Sequence, residues 1–237
     1  MSVSFSAPLM LLSNQNTAAT YESSKQKILT SLDLIGHMDI KKAFTDTSNK
    51  QEILELNIAW CLQISDKVIS NIVVTFPKLS KINISSCKRV TSKAFYELLC
   101  APNISELAAS HLPRVGRNKV AAISSTAVTR VVGKNQNQTR ISNVQNQTRT
   151  SNVRILHMDA TPITDADLEH IIHIAPKLEF ISLRWCERLS AHGINKIMKI
   201  APNLRCIDLT DLGLVQDIEV GIENQTGLVE IICTKWY

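Results

Sequence analysis

Apolar residues recur along this chain in triplets, with a period of 24–26 residues that runs almost from end to end. Taking an anchor position and asking for apolar residues eight, five and three places before it, anchors fall at His37, Cys61, Cys87, Leu112, Gln136, Thr161, Cys186, Leu212 and Trp236. Of the 27 triplet positions 26 are apolar, where a chain of 44% apolar content would supply about 12 by composition alone. Self-similarity at this period is the signature of a stacked solenoid, whose units bury their hydrophobic faces only against their neighbours.

Each unit reads the same way. The triplet, such as Leu79/Ile82/Ile84 or Leu178/Ile181/Leu183, marks a short strand whose alternate side chains point inward. The anchor turns inward beneath it, and a polar turn follows ("QISD", "RVTS", "PITD") before a helical stretch. In residues 166–175 Leu168, Ile171, Ile172 and Ala175 share one helical face, with Glu169, His170 and His173 opposite. Pro77, Pro102, Pro176 and Pro202 each stand two residues before the next triplet, and each stops its helix by lacking a backbone donor and restricting the preceding residue. The expectation is an α/β leucine-rich-repeat horseshoe of about nine repeats over residues 25–237, with a parallel concave sheet and helices on the convex side. Residues 1–24 are expected to form a disordered N-terminal segment.

The skeleton L-x-x-L-x-L-x-x-C, with Ser/Thr-Asp shortly after the cysteine and a closing proline, resembles the cysteine-containing leucine-rich repeat of F-box proteins and their relatives. Residues 53–79 and 178–204 match it most fully. Within that group the length, the lead-in before the first full repeat and the chain end "TKWY" are similar to homologues of the antagonist of mitotic exit network protein. The resemblance implies a substrate-recognition or adaptor role, often feeding a cullin-type ubiquitin ligase or cell-cycle control. Only about 28 residues precede the first triplet, fewer than an F-box needs.

Cys61, Cys87 and Cys186 share the anchor position, where a small buried group with a weak donor suits an inward turn. No C-x-x-C pair exists, so no zinc site or other metal site is expected. Dinucleotide, P-loop, zincin and nucleophile-elbow motifs are all missing, and the chain reads as a non-enzyme without cofactor. Asp66 and Asp165 read as helix N-caps, and His170 with His173 as solvated residues of a convex helix. The N-terminus has no basic start and only a very short apolar run, and no segment approaches the ~20 apolar residues of a membrane span. A cytoplasmic or nuclear chain, with free thiols and no membrane contact, is therefore expected.

Function must then lie in a binding surface. Residues six, four and two before each anchor project onto the concave sheet, and the candidate contacts are Arg130, Lys134, His157, Phe180 and Arg184, with Trp60 and Trp185 at the rim. Between Glu106 and Asp159 there is no acidic residue but eight arginines and lysines. The same stretch holds a tandem duplication, "NQTRISNVQ" followed by "NQTRTSNVR", read as a degenerate basic repeat over about 113–153. These features predict a protein partner on the concave face, with an acidic surface, among which ubiquitin-ligase components are candidates. Nucleic acid is the alternative, weakened by the lack of any Phe, Tyr or Trp between Tyr96 and Phe180 to stack on bases.

Overall fold

The inward-facing triplets beginning at Ile53, Leu79, Ile104, Val153, Leu178 and Leu204 are buried in the computed structural model, which describes residues 30–47, 49–116, 150–213, 217–219, 223–224 and 227–233. Three-residue strands carry the middle member of each triplet: β1 (Ser31–Asp33), β2 (Glu55–Asn57), β3 (Lys81–Asn83), β4 (Glu106–Ala108), β5 (Ile155–His157), β6 (Phe180–Ser182), β7 (Cys206–Asp208) and, near the chain end, β10 (Glu230–Ile232). They form one eight-stranded sheet in the order β1-β2-β3-β4-β5-β6-β7-β10, and every pair is parallel. Register is strict: Leu56, Ile82, Leu107, Leu156, Ile181 and Ile207 face one another along the stack. Each is almost fully buried, which stabilises by roughly 1.5–3 kcal/mol per side chain. A short hairpin, β8 (Glu223–Asn224) with β9 (Gly227–Leu228), precedes the last strand.

The convex layer is helical. It contains α1 (Ile40–Asp46), α2 (Asp66–Thr75), α3 (Ser92–Leu99), α4 (Asp165–Ile174) and α5 (Ala191–Ile200), with a 3-10 turn at Lys50–Glu52. On α4 the expected apolar face is the buried one, and Thr164 caps the helix in a reciprocal box with Asp167.

Three expectations need correction. First, the polar turn after the anchor is not the same in every repeat, and β4 pairs directly with β5. The backbone departs from the repeat at Gly116. At the equivalent position Ser65, Thr91, Thr164 and Ser190 are helix N-caps with φ between −105 and −128°, whereas Gly116 has φ +79°. A side chain there would also lie 2.7 Å from the backbone of Ile163.

Second, Asp66 and Asp165 are not the N-caps. They are the first helical residues, and each carboxylate reaches the cap of the following repeat. Asp66 accepts from the Thr91 amide at 2.9 Å and its hydroxyl at 2.6 Å; Asp165 accepts the same pair of bonds from Ser190. Third, His170 is not simply solvated: its ring packs edge-on against Tyr96 at 5.3 Å, and burial lowers its pKa.

Candidate protein-docking surface

The anchors set the lower rim of the sheet. Cys61, Cys87 and Cys186 are buried free thiols, and each donates from Sγ to a carbonyl of the preceding repeat: Leu34 at 3.0 Å, Ile58 at 3.1 Å and Met158 at 3.2 Å. Burial pushes the Cys87 thiol up to about 12 and raises those of Cys61 and Cys186. Protonated and donating, these groups hold adjacent turns together. The residue before the anchor adopts a left-handed backbone at Trp60, Ser86, His111, Ala160, Trp185 and Asp211, with φ between 51 and 63°. At the two tryptophans this turn throws the side chain outward. Trp60 and Trp185 are accordingly 60% and 44% exposed. Packing against the next turn does not cover either tryptophan.

A second ladder ties the upper edges. Asn103, Asn152 and Asn203 donate side-chain N–H groups to the carbonyls of Pro102's counterparts one repeat back: Pro77 at 2.6 Å, Pro102 at 2.7 Å and Pro176 at 2.7 Å. The Pro-Asn pairs at 102–103 and 202–203 were the visible signal for it. Clamped at both edges, the strands present their outward residues as two rigid rows. One row runs Ser31, Glu55, Lys81, Glu106, Ile155, Phe180, Cys206, Glu230, and the other Asp33, Asn57, Asn83, Ala108, His157, Ser182, Asp208, Ile232. A groove of about 500 Å³ lies over the half from Ser31 to Asp159.

Four of the seven candidate contacts converge. His157 and Phe180 are cross-strand neighbours with ring centroids 5.3 Å apart. The Arg184 guanidinium lies 4.9 Å from the Trp185 ring centroid, and the His111 ring is 6.5 Å from that of Trp185. His111 escaped the sequence reading, because the rim position before an anchor was weighed only for tryptophan. Asp159 orders this corner, one oxygen accepting from the Ser182 hydroxyl and from the Arg184 amide. The Arg184 Nε is buried without a hydrogen-bond acceptor. Trp60 belongs elsewhere: it follows β2, four strand steps or about 19 Å from the Trp185 corner. Arg130 and Lys134 lie outside the described residues, as do residues 1–24 and most of the duplicated segment.

Among the described residues the face is predominantly acidic. Its outward positions carry Asp33, Glu55, Glu106, Asp159, Asp208 and Glu230 against Lys81 and Arg184. Lys81 is shared between Glu55 at 3.3 Å and Glu106 at 3.5 Å, a pairing that raises its pKa, chiefly through the hydrogen bond from Lys81 to Glu55. This balance runs against the expected acidic partner. Among the described residues no group of three His, Cys, Asp or Glu side chains is placed to hold a metal. His173 engages the Glu169 carbonyl instead, at 2.7 Å. No helix among them is long and apolar enough to cross a membrane.

No protein-family model matches the chain, and no curated protein does. Among solved structures it is similar to a chain in the crystal structure of the Rad7 and Elc1 complex in yeast, at 14% identity and a TM-score of 0.40. The match covers 75% of this chain and 31% of that one, so this chain spans about a third of the length of that neighbour.

Proposed function

We propose that this chain is a non-catalytic protein-binding module, acting in the cytoplasm or nucleus as a recognition or adaptor component in ubiquitin-ligase-linked or cell-cycle regulation. One observation carries the binding role: an eight-stranded parallel sheet that, among the described residues, has its helices on one side and leaves its other face uncovered yet rigid. Parallel sheets are ordinarily covered on both faces, so an open one calls for an occupant. The His157/Phe180 and Arg184/Trp185 pairs supply the residue types that dominate interface hot spots, on a backbone that needs no rearrangement. The regulatory setting rests on the repeat's resemblance to the F-box-associated type and on nothing in the geometry.

Affinity capture with the full chain as bait, read by mass spectrometry, tests the proposal. Phe180→Ala and Arg184→Glu should each deplete the captured protein severalfold, whereas His173→Ala on the convex helix should leave capture intact. Capture that follows the convex variant and ignores the concave pair would overturn the docking assignment.

A further inference from the structure

The two ends of the concave face differ in chemistry, and the first four strands carry an excess of carboxylate with an apolar ledge beside it. Over β1 to β5 the groove presents Asp33, Glu55, Glu106 and Asp159, with Lys81 as the single cation among them. Since Lys81 is held between two of these carboxylates, the groove keeps a net charge of −3 from its Asp, Glu and Lys side chains. Directly below, the turns of the first two repeats expose Ile35 (55%), Met38 (79%), Trp60 (60%) and Leu62 (62%), half of the large hydrophobic residues exposed among the described residues. These turns are fastened to each other: the Gly36 amide donates to the Ala59 carbonyl at 2.8 Å, and the Gln63 side chain donates to the Met38 carbonyl. Asp33 belongs to the same turn, its carboxylate accepting from the Ile35 amide at 3.2 Å. Acidic groove and apolar ledge are therefore one continuous surface.

We infer that this half of the face binds a basic, extended segment of the partner protein, with lysine or arginine at alternate positions along the groove and one bulky apolar side chain seated on the Trp60 ledge. Charge complementarity selects the sign. Five strands span about 19 Å, the length of some six extended residues. Each alternate cation then meets Asp33, Glu55 or Glu106 in turn, while the apolar anchor covers surface that a monomer of this kind seldom leaves open. The inference rests on the docking reading and narrows its partner to the sign opposite to that suggested by the basic stretch of the sequence.

The test uses the full chain and three labelled dodecapeptides, read by fluorescence anisotropy over a salt series. One alternates Lys with Ser and ends in Trp-Leu, one replaces Lys by Glu, and one replaces Trp-Leu by Ser-Ser. The Lys/Trp-Leu peptide should bind, at least tenfold tighter than the Glu peptide, with an affinity that falls steeply with salt. Asp33→Asn/Glu55→Gln/Glu106→Gln should weaken it tenfold or more. Trp60→Ser should weaken it severalfold, down to the level of the Ser-Ser peptide on the unaltered chain. Glu169→Gln, on the convex helix, should change nothing. Absence of binding, equal binding of the Glu peptide, or indifference to the triple substitution would overturn the inference. Because Phe180 and Arg184 lie outside this half, partner capture that still depends on them would leave the docking proposal standing when the basic-segment inference falls.

Discussion

Gly193 is the position where a routine stabilising change should fail for a reason written in the neighbouring repeat. It sits buried in the first turn of α5, where alanine ordinarily improves a helix by about 1 kcal/mol. A Cβ at Gly193, however, would lie 2.2 Å from Cγ and 2.8 Å from Cβ of Asp165. The Asp165 carboxylate occupies that space because it accepts from the Ser190 amide at 2.9 Å and hydroxyl at 2.6 Å, and Ser190 Oγ in turn accepts from the Gly193 amide at 3.1 Å. Hydrogen bonds to a carboxylate contribute about 1.5–3 kcal/mol each, and a charge in a first helical turn some 0.3–1 more. Allowing for incomplete burial, Asp165→Ala should cost roughly 2–4 kcal/mol. Gly193→Ala alone should displace the carboxylate and destabilise by about 1–3 kcal/mol despite its helix propensity. In the Asp165→Ala background the obstacle is gone, and the same change should stabilise by about 0.5–1 kcal/mol. Equilibrium denaturation of the four chains closes the cycle, with an expected coupling of about 1.5–4 kcal/mol. If Gly193→Ala alone stabilises, or the coupling is below about 0.5 kcal/mol, the clamp between repeats is not what the geometry says.

Other consequences can be checked on the same material. Leu183→Asp places an unpaired charge at a fully buried position just after β6 and should cost several kcal/mol, while Cys186→Ser, which keeps a donor for the Met158 carbonyl, should cost far less; equal melting temperatures would refute the burial assignment. The thiols of Cys87 and Cys186 should resist alkylation near neutral pH until the chain unfolds, and all six cysteines should then titrate as free; a disulfide between Cys61 and Cys87 would contradict this. Burial holds the pKa of His170 below its ordinary value of 6.5, so the folded state resists a proton that the unfolded chain accepts. Stability should fall as pH drops through that region and recover above it, and His170→Gln should flatten the melting-temperature profile between about pH 5.5 and about pH 7.5. An unchanged slope in that variant would remove His170 from the account.

Strand positions were legible because burial leaves a local trace: Leu156, Ile181 and Ile207 each sit in a triplet readable within six residues of sequence. The clamps that fasten repeats were not. Asp66 looked like a cap for its own helix, since nothing local reveals that its carboxylate points to Thr91 in the next repeat. Thiol and asparagine bonds to preceding carbonyls likewise join residues more than twenty positions apart. The pairing of Glu106 with Ile155 joins two strands far apart in sequence, a neighbour relation that no local pattern announces. The sign of a solenoid face depends on which repeats are neighbours, and among the described residues carboxylates are in the majority on it.

Site-specific crosslinking tests the central claim most directly. A photoreactive benzoyl-phenylalanine placed at Phe180 looks out from the open sheet, and the same group at His173 looks out from the opposite, helical side. Irradiated in cells, the chain carrying it at 180 should yield a discrete adduct with a partner protein, and the chain carrying it at 173 should yield none. An adduct from 173 with none from 180 would contradict the claim that the concave sheet is the docking surface.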